Sequence, residues 1–290
     1  MRYKKRCIFI LLAVVIISFV LVLAIVFFNM TAYAQSFKLC NMIKAGGTEH
    51  AIEYIEKVSD VNEYSAPLWI RRILNMLEDD IDLPLIVACE EGDLQVVKAL
   101  LEHGADPNHY LDGSWSPMEA TFISKKPNRL AIANLLIQYG ADVDAYGSHT
   151  SGLFHELRIY AHSTGDTTEE IKEQEECILF LLSSGASPID KNDYTIMHYI
   201  CRTNHIEFIS ALAEDYDELL DYRNQQKQTP LMWAISGESE ETVAFLLAHG
   251  VEVEVTDING KSVLEYALES ENQRIIDLII DAKDSASNTN

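Results

Sequence analysis

The chain has 290 residues, 48% of them apolar, and carries 45 Asp and Glu against 22 Lys and Arg, a formal net charge of −23. That length suits one long domain or two short ones, and sparse Gly and Pro exclude a collagen-like or low-complexity chain. A surface this acidic repels phosphate backbones and anionic lipid heads, so it argues against nucleic-acid binding and favours a basic or mixed protein surface as partner.

Arg2, Lys4, Lys5 and Arg6 precede an apolar run from Ile8 to Phe28 in which Ser18 is the only polar residue. About 20 apolar residues in a helix span a bilayer, and a positive cluster before the span keeps the N-terminus in the cytoplasm. Two fates are open. The run exceeds the ~7–15 apolar residues of a signal peptide, which favours an uncleaved anchor; Ala32-Tyr33-Ala34 fits small-x-small cleavage after Ala34. Either fate places residues 36–290 across the membrane, in the periplasm if the cell is a bacterium. Membrane contact then runs through residues 8–28 if the leader is retained.

Residues 35–81 read as a helical cap. Gly47 to Asn62 has the pattern of a degraded helix and turn, and a linking helix is expected around Pro67 to Glu78. From residue 82 to 283 the sequence repeats. The pairs Leu100-Leu101, Leu135-Leu136, Leu181-Leu182 and Leu246-Leu247 each precede a glycine: Gly104, Gly140, Gly185 and Gly250. In Asp93 to Gly104, Leu94, Val97 and Leu101 form one helical stripe, and the glycine stops the helix. Pro84 opens a shorter helix upstream. A single hairpin of this kind cannot bury its own face, so copies must stack.

Thr229-Pro230-Leu231-Met232-Trp233-Ala234 and Leu100 to Asn108 (LLEHGADPN) carry a resemblance to the ankyrin repeat, with its TPLHxA opening and LLxxGADxN close. A step of 12 residues recurs at Ala88–Leu100, Ile200–Leu212, Ala234–Leu246 and Ala267–Ile279. The resemblance implies an all-α solenoid of helix pairs with short β-hairpin tips, following the transmembrane or signal helix. Six units begin near residues 82, 114, 149, 194, 228 and 261. The second is stretched by two residues between Thr121 and Leu135; the third carries twelve extra between Leu157 and Leu181, including the polar insertion Ala161 to Glu176. A polar tail, residues 284–290, is expected to close the chain.

The resemblance also places Val87, Ala120, Glu156, Tyr199, Trp233 and Tyr266 on the concave groove, as the residues following the TPLH histidine. Tyr199, Trp233 and Tyr266 stand in consecutive units and are the first candidates for a protein-binding site. Tyr110, Trp115, Tyr146, Tyr194 and Tyr222, on or near the tips, are the second. His155 and His198 fall at or near the TPLH histidine, which stabilises the turn between units. His103 and His249 sit in the last turn of second helices. Cys7, Cys40, Cys89, Cys177 and Cys201 form no CxxC pair and read as buried thiols.

No nucleophile, phosphate-loop or dinucleotide motif is present, so neither an enzyme nor a cofactor or metal is expected. Cys201 and His205, four apart, are the one conceivable catalytic pair, but Cys201 falls at a core position of the repeat. Export, a binding fold and the lack of a catalytic motif together give a layout similar to bacterial envelope ankyrin proteins. Some of those resemble immunity proteins that neutralise the lipase effectors of type VI secretion. That resemblance implies a secreted lipase as partner. An envelope scaffold, protecting a resident protein, is the alternative; an enzyme with an unrecognised site ranks below both.

Overall fold

The computed structural model describes residues 34–58, 60–62, 83–110, 115–145, 151–162 and 168–287. The leader through Tyr33, the expected linking helix Pro67–Glu78, and Tyr146 lie outside these. Among the described residues, no helix is long and apolar enough to cross a membrane. The chain divides into two compact units, Met1–His149 and Thr150–Asn290.

In the first unit three helix pairs stack. They are α1 (34–44) with α2 (Thr48–Ile55), α3 (Pro84–Glu91) with α4 (Leu94–Glu102), and α5 (Pro117–Ile123) with α6 (Arg129–Gln138). Helix α3 packs on α5, while α4 lies against both α2 and α6. The GADxN motif explains the joint between pairs. Asn108 donates from Nδ2 to the Gly140 carbonyl (2.8 Å), and its Oδ1 accepts from the Asp142 N–H (2.7 Å). Asn62 makes the same clasp on Gly104 (2.6 Å) and Asp106 (2.7 Å), so the degraded segment Gly47–Asn62 ends in a turn of the same kind.

The second unit holds four pairs: α7 (Gly152–Tyr160) with α8 (Thr168–Ser183), α9 (Ile196–Ile200) with α10 (Ile206–Asp215), α11 (Pro230–Ser236) with α12 (Glu240–Ala248), and α13 (Val263–Glu269) with α14 (Gln273–Ser287). Inner helices α7, α9, α11 and α13 stack in order; α10, α12 and α14 stack behind them. Here Asp221 accepts the Glu252 N–H (2.9 Å), taking the place of the asparagine clasp. Helix α14 runs to Ser287, so much of the expected polar tail is helical.

Second helices end on left-handed glycines, Gly104, Gly140, Gly185 and Gly250, at φ 86°, 88°, 94° and 76°. The residue after each returns its N–H to a carbonyl five back: Ala105 to Leu100, Ala141 to Leu136, Ala186 to Leu181. These bonds fix the register. In the second repeat the pivot is Leu136, not Leu135, and the stretch from Thr121 is therefore three residues beyond the common step. Leu100, Leu136, Leu181 and Leu246 are all fully buried.

The tips are turns rather than hairpins. Among the described residues, pairing is limited to the isolated bridges Ile189–Thr195 and Thr256–Ser262. The reason is local. Asp190 Oδ1 accepts from the N–H groups of Asn192 and Tyr194, Asn224 Oδ1 from Gln226 and Gln228, and Asp257 Oδ1 from Asn259 and Lys261. Side chains thus satisfy the backbone that a ladder would otherwise use.

Candidate protein-binding face

Each inner helix of the second unit starts from a buried or half-buried hydroxyl cap: Ser151, Thr195, Thr229 and Ser262. Four residues on, just over one turn, the side chain stands above its cap and under its own tip. Tyr199, Trp233 and Tyr266 occupy this position, and all three are half-buried. The residue just before the cap closes onto the same ring, the geometry of a hydrophobic staple. Tyr194 meets Tyr199, ring centroids 6.1 Å apart. Gln228 Oε1 accepts from the Trp233 indole N–H (3.2 Å). The Lys261 ammonium lies 3.7 Å from the Tyr266 ring centre, while pairing with Glu269.

Two parallel rows result, and they interlock across repeats. Trp233 packs edge-on against Tyr194 (5.5 Å) and tilted against Tyr199 (5.3 Å); Phe154 closes on Tyr199 from the preceding repeat (5.8 Å). Gln228 donates from Nε2 to the Tyr266 hydroxyl (3.1 Å), which donates to Asp257 (3.0 Å). Tyr194 donates to Gln226 (2.8 Å). Burial raises the phenols of Tyr194 and Tyr266. Burial alone would also raise Asp257, but the Lys261 and Asn259 N–H groups and the Tyr266 hydroxyl hold that carboxyl below its ordinary value.

His198 underlies the face. Its Nδ1 accepts from the Thr195 N–H (3.1 Å), and its Nε2 donates to the Gln228 carbonyl (3.0 Å) in the next repeat. Its ring meets Trp233 edge-on at 5.9 Å. Burial pulls its pKa down to about 4, so at neutral pH it is an uncharged bolt between repeats. His103 and His249 each donate from Nδ1 to the carbonyl four residues back, Ala99 and Phe245 (2.8 Å each), closing the ends of their helices.

Other expected positions fare differently. Val87 and Ala120 occupy the groove register in the first unit but are small or apolar and fully buried. Glu156 is corrected: with the cap at Ser151, the groove position is His155, while Glu156 lies one residue deeper and is fully buried. His155 accordingly is not at the TPLH histidine register, which Phe154 fills. Tyr110 and Trp115 are half-buried in the other unit. Tyr222 is half-buried beyond the 3-10 turn Asp217–Leu219, with no ring contact to the rows among the described residues. The structure therefore joins Tyr194 to Tyr199, Trp233 and Tyr266 within the second unit.

Cys201 is fully buried, and burial pushes its thiol up, while His205 Nδ1 is engaged by the Tyr160 hydroxyl (2.7 Å). The same hydroxyl donates to Glu175 (2.8 Å). This Tyr160–Glu175–His205 knot was not legible as a motif. It forms because the insertion lengthens α8 at its N-terminus and brings Glu175 over α10, leaving a cleft of about 470 Å³ beside Lys172 and Phe208. Burial and the Glu175 contact raise the Tyr160 phenol. Cys40, Cys89, Cys177 and Cys201 are buried, as expected, and form no disulfide among the described residues. Burial pushes Cys89 up to about 12.

Charge separates the units as well. Residues 150–290 hold 27 acidic and 9 basic side chains, against 18 and 13 in residues 1–149.

Comparison with known proteins agrees with this architecture. The model for ankyrin repeats in three copies matches residues 170–257 and 217–290, and the single ankyrin repeat matches residues 82–110, together about half the chain. The chain belongs to the ankyrin-repeat family. Its members are in general protein-binding scaffolds rather than catalysts. Similar sequences include ankyrin repeat protein nuc-2 of Neurospora crassa, 30% identical over 146 residues, 48% of this chain. The chain spans 12% of that protein, and under a third of the other curated relatives it matches.

Similar solved structures include the human ASB11 ankyrin repeat domain (TM-score 0.61, 20% identity, 84% of this chain and 96% of that one). Another is a chain from the predatory endopeptidase Bd0816 of Bdellovibrio bacteriovorus in complex with immunity protein Bd3460 (TM-score 0.55, 17% identity, 68% and 96%). At these identities the likeness is one of fold.

Proposed function

We propose that this ankyrin protein is an extracytoplasmic immunity protein, exported or anchored by residues 1–34, that binds and neutralises a secreted effector of the lipase class. The observation that carries the reading is the half-buried aromatic face of Tyr194, Tyr199, Trp233 and Tyr266. Such rings, rigid and only partly covered, anchor protein interfaces. The basic-then-apolar leader supports export. A fold-level neighbour from a complex that pairs an enzyme with its immunity protein supports the reading.

The test is co-expression of the full chain with the product of the neighbouring gene, followed by gel filtration and a lipase assay in detergent. We expect a co-eluting complex with suppressed lipase activity, and Trp233→Ala with Tyr199→Ala to weaken it at least tenfold. Absence of a complex would end the immunity reading. A complex indifferent to both substitutions would move the interface off this face. Alkaline phosphatase fused after residue 290 is expected to be active; an inactive fusion places the repeats in the cytoplasm.

A further inference from the structure

Apart from the aromatic face, we infer that the open side of the α13–α14 pair is a second docking surface, and that its occupant is a partner's helix with an apolar stripe and basic flanks. The register between the last two described pairs carries the argument. Ser262 caps α13 as Thr229 caps α11, and Glu271 repeats the left-handed turn of Glu238 (φ 55° and 53°), so equivalent residues stand 33 apart. Leu231, Met232, Ile235 and Val243 are fully buried where α11 and α12 meet α13 and α14. Their equivalents are Leu264, Glu265, Leu268 and Ile276, and none of these is buried. Leu268 is 53% exposed, and Ile280, one turn beyond Ile276, is 41% exposed.

The side that a neighbour covers in one pair is thus open in the next, yet it stays apolar. Leu264 with Leu268, and Ile276 with Ile280, each form a stripe at i and i+4. A repeat at the edge of a stack ordinarily turns a polar face outward, and an exposed apolar patch marks a place of contact.

Charge selects the occupant. Glu265 stands within the face where the preceding repeat has Met232. The Ser262 N–H and hydroxyl both donate to its carboxyl (2.7 Å each), which holds that group below its ordinary value and fixes an anion there. Glu269, Asp277 and Asp281 each follow a stripe residue by one place and are exposed. Against these carboxylates α13 and α14 set one exposed base, Arg274; Lys261 and Lys283 are half-buried and paired with Glu269 and Glu254. A second copy would bring Glu265 against carboxylates of its own kind. An uncharged helix would cover Glu265 without supplying a cation, a costly arrangement. A helix with Lys or Arg beside its apolar stripe answers both the stripes and the anions.

The experiment titrates the full chain, in non-ionic detergent, into a labelled helix-forming peptide of about 18 residues, Leu at i, i+3 and i+4 spacing and Lys elsewhere. Fluorescence anisotropy is read at about 150 mM salt, where exposed long-range charge is largely screened, with detergent alone as the blank. A peptide of the same composition with the Leu order scrambled is the control of equal charge. We expect the ordered peptide to bind at least tenfold tighter than the scrambled one. Leu268→Asp with Ile280→Asp is expected to lose at least tenfold although it makes the chain more acidic, whereas diffuse attraction predicts a gain. Glu265→Gln is expected to weaken binding about threefold more than Glu214→Gln, an equal change of charge at an exposed site on α10.

Equal binding of the two peptides would overturn the helical occupant. Unchanged or tighter binding by the double Asp variant would place the attraction elsewhere. Should that variant not melt cooperatively, the Glu265 and Glu214 pair decides: equal effects overturn the inference. A dimer of the full chain in sedimentation that Ile280→Asp disperses would give the face to a second copy, and sink the inference too. None of these results depends on whether the aromatic face engages a lipase.

Discussion

The two units are built from the same helix pair but use its groove position differently. In the first unit Val87 and Ala120 fill it, fully buried, and the joints are polar clasps by Asn62 and Asn108. In the second, His155 fills it buried in the first repeat, and Tyr199, Trp233 and Tyr266 fill it half-buried in the next three, with ring stacks over His198 added to the Asp221 clasp at the joints. One register in one repeat type thus serves as core in the first case and as surface in the second. The small Val87 and Ala120 are wholly covered there, whereas the larger rings of Tyr199, Trp233 and Tyr266 reach the surface. Binding is therefore expected to belong to the second unit, with the first supplying folded mass.

The sharpest way to break that division is to damage the first unit. Leu100→Ala empties a fully buried position and is expected to cost about 2–5 kcal/mol in thermal or urea unfolding. Below the melt, affinity for a partner held by the aromatic face is expected to stay within about twofold. A large loss of affinity in a folded variant would show that the first unit takes part in binding.

Acid tests the second unit. Unfolded histidine titrates near 6.5, whereas folded His198 titrates near 4, so between these values the unfolded chain binds more protons. Its stabilisation is complete above about 6.5 and is lost as pH falls toward 4, by about 3 kcal/mol in all. His198→Gln keeps one acceptor and one donor, and is expected to flatten that limb in stability measured from pH 7 to 4. An unchanged slope would mean that carboxylates alone set the acid response.

The smallest effect expected is that of Asn108→Ala. It removes the clasp on Gly140 and Asp142, both exposed, for about 1 kcal/mol of stability and no change in partner affinity.

Much of this was legible beforehand because it rests on local rules. Gly104 and Gly250 mark helix ends wherever they fall, and Thr229-Pro230 starts a helix without help from the rest of the chain. Errors arose where two local choices were nearly equal. In Gly152 to Leu157 either His155 or Glu156 could follow the cap, and only the position of Ser151 decides. In the second repeat Leu135, Leu136 and Ile137 are adjacent and apolar, so the pivot was one residue out until the return bond from Ala141 fixed it. The aromatic row was visible as a spacing, but its cover was not. Gln228 and Lys261 are ordinary polar residues in sequence and become part of the face only because the residue before a cap folds back on the fifth residue after it. The Tyr160–Glu175–His205 knot joins residues up to 45 apart, beyond any spacing rule.

The asparagine clasp has a mechanical consequence. Each one ties the turn of one repeat to the glycine stop of the next, so no repeat in the first unit is sealed by its own residues alone. A pull on the N-terminal end, such as a membrane tether would exert, loads Asn62 on Gly104 before it reaches Asn108 on Gly140. The unit would then yield like a zip, tooth after tooth, and give out length in repeat-sized steps instead of rupturing as a block.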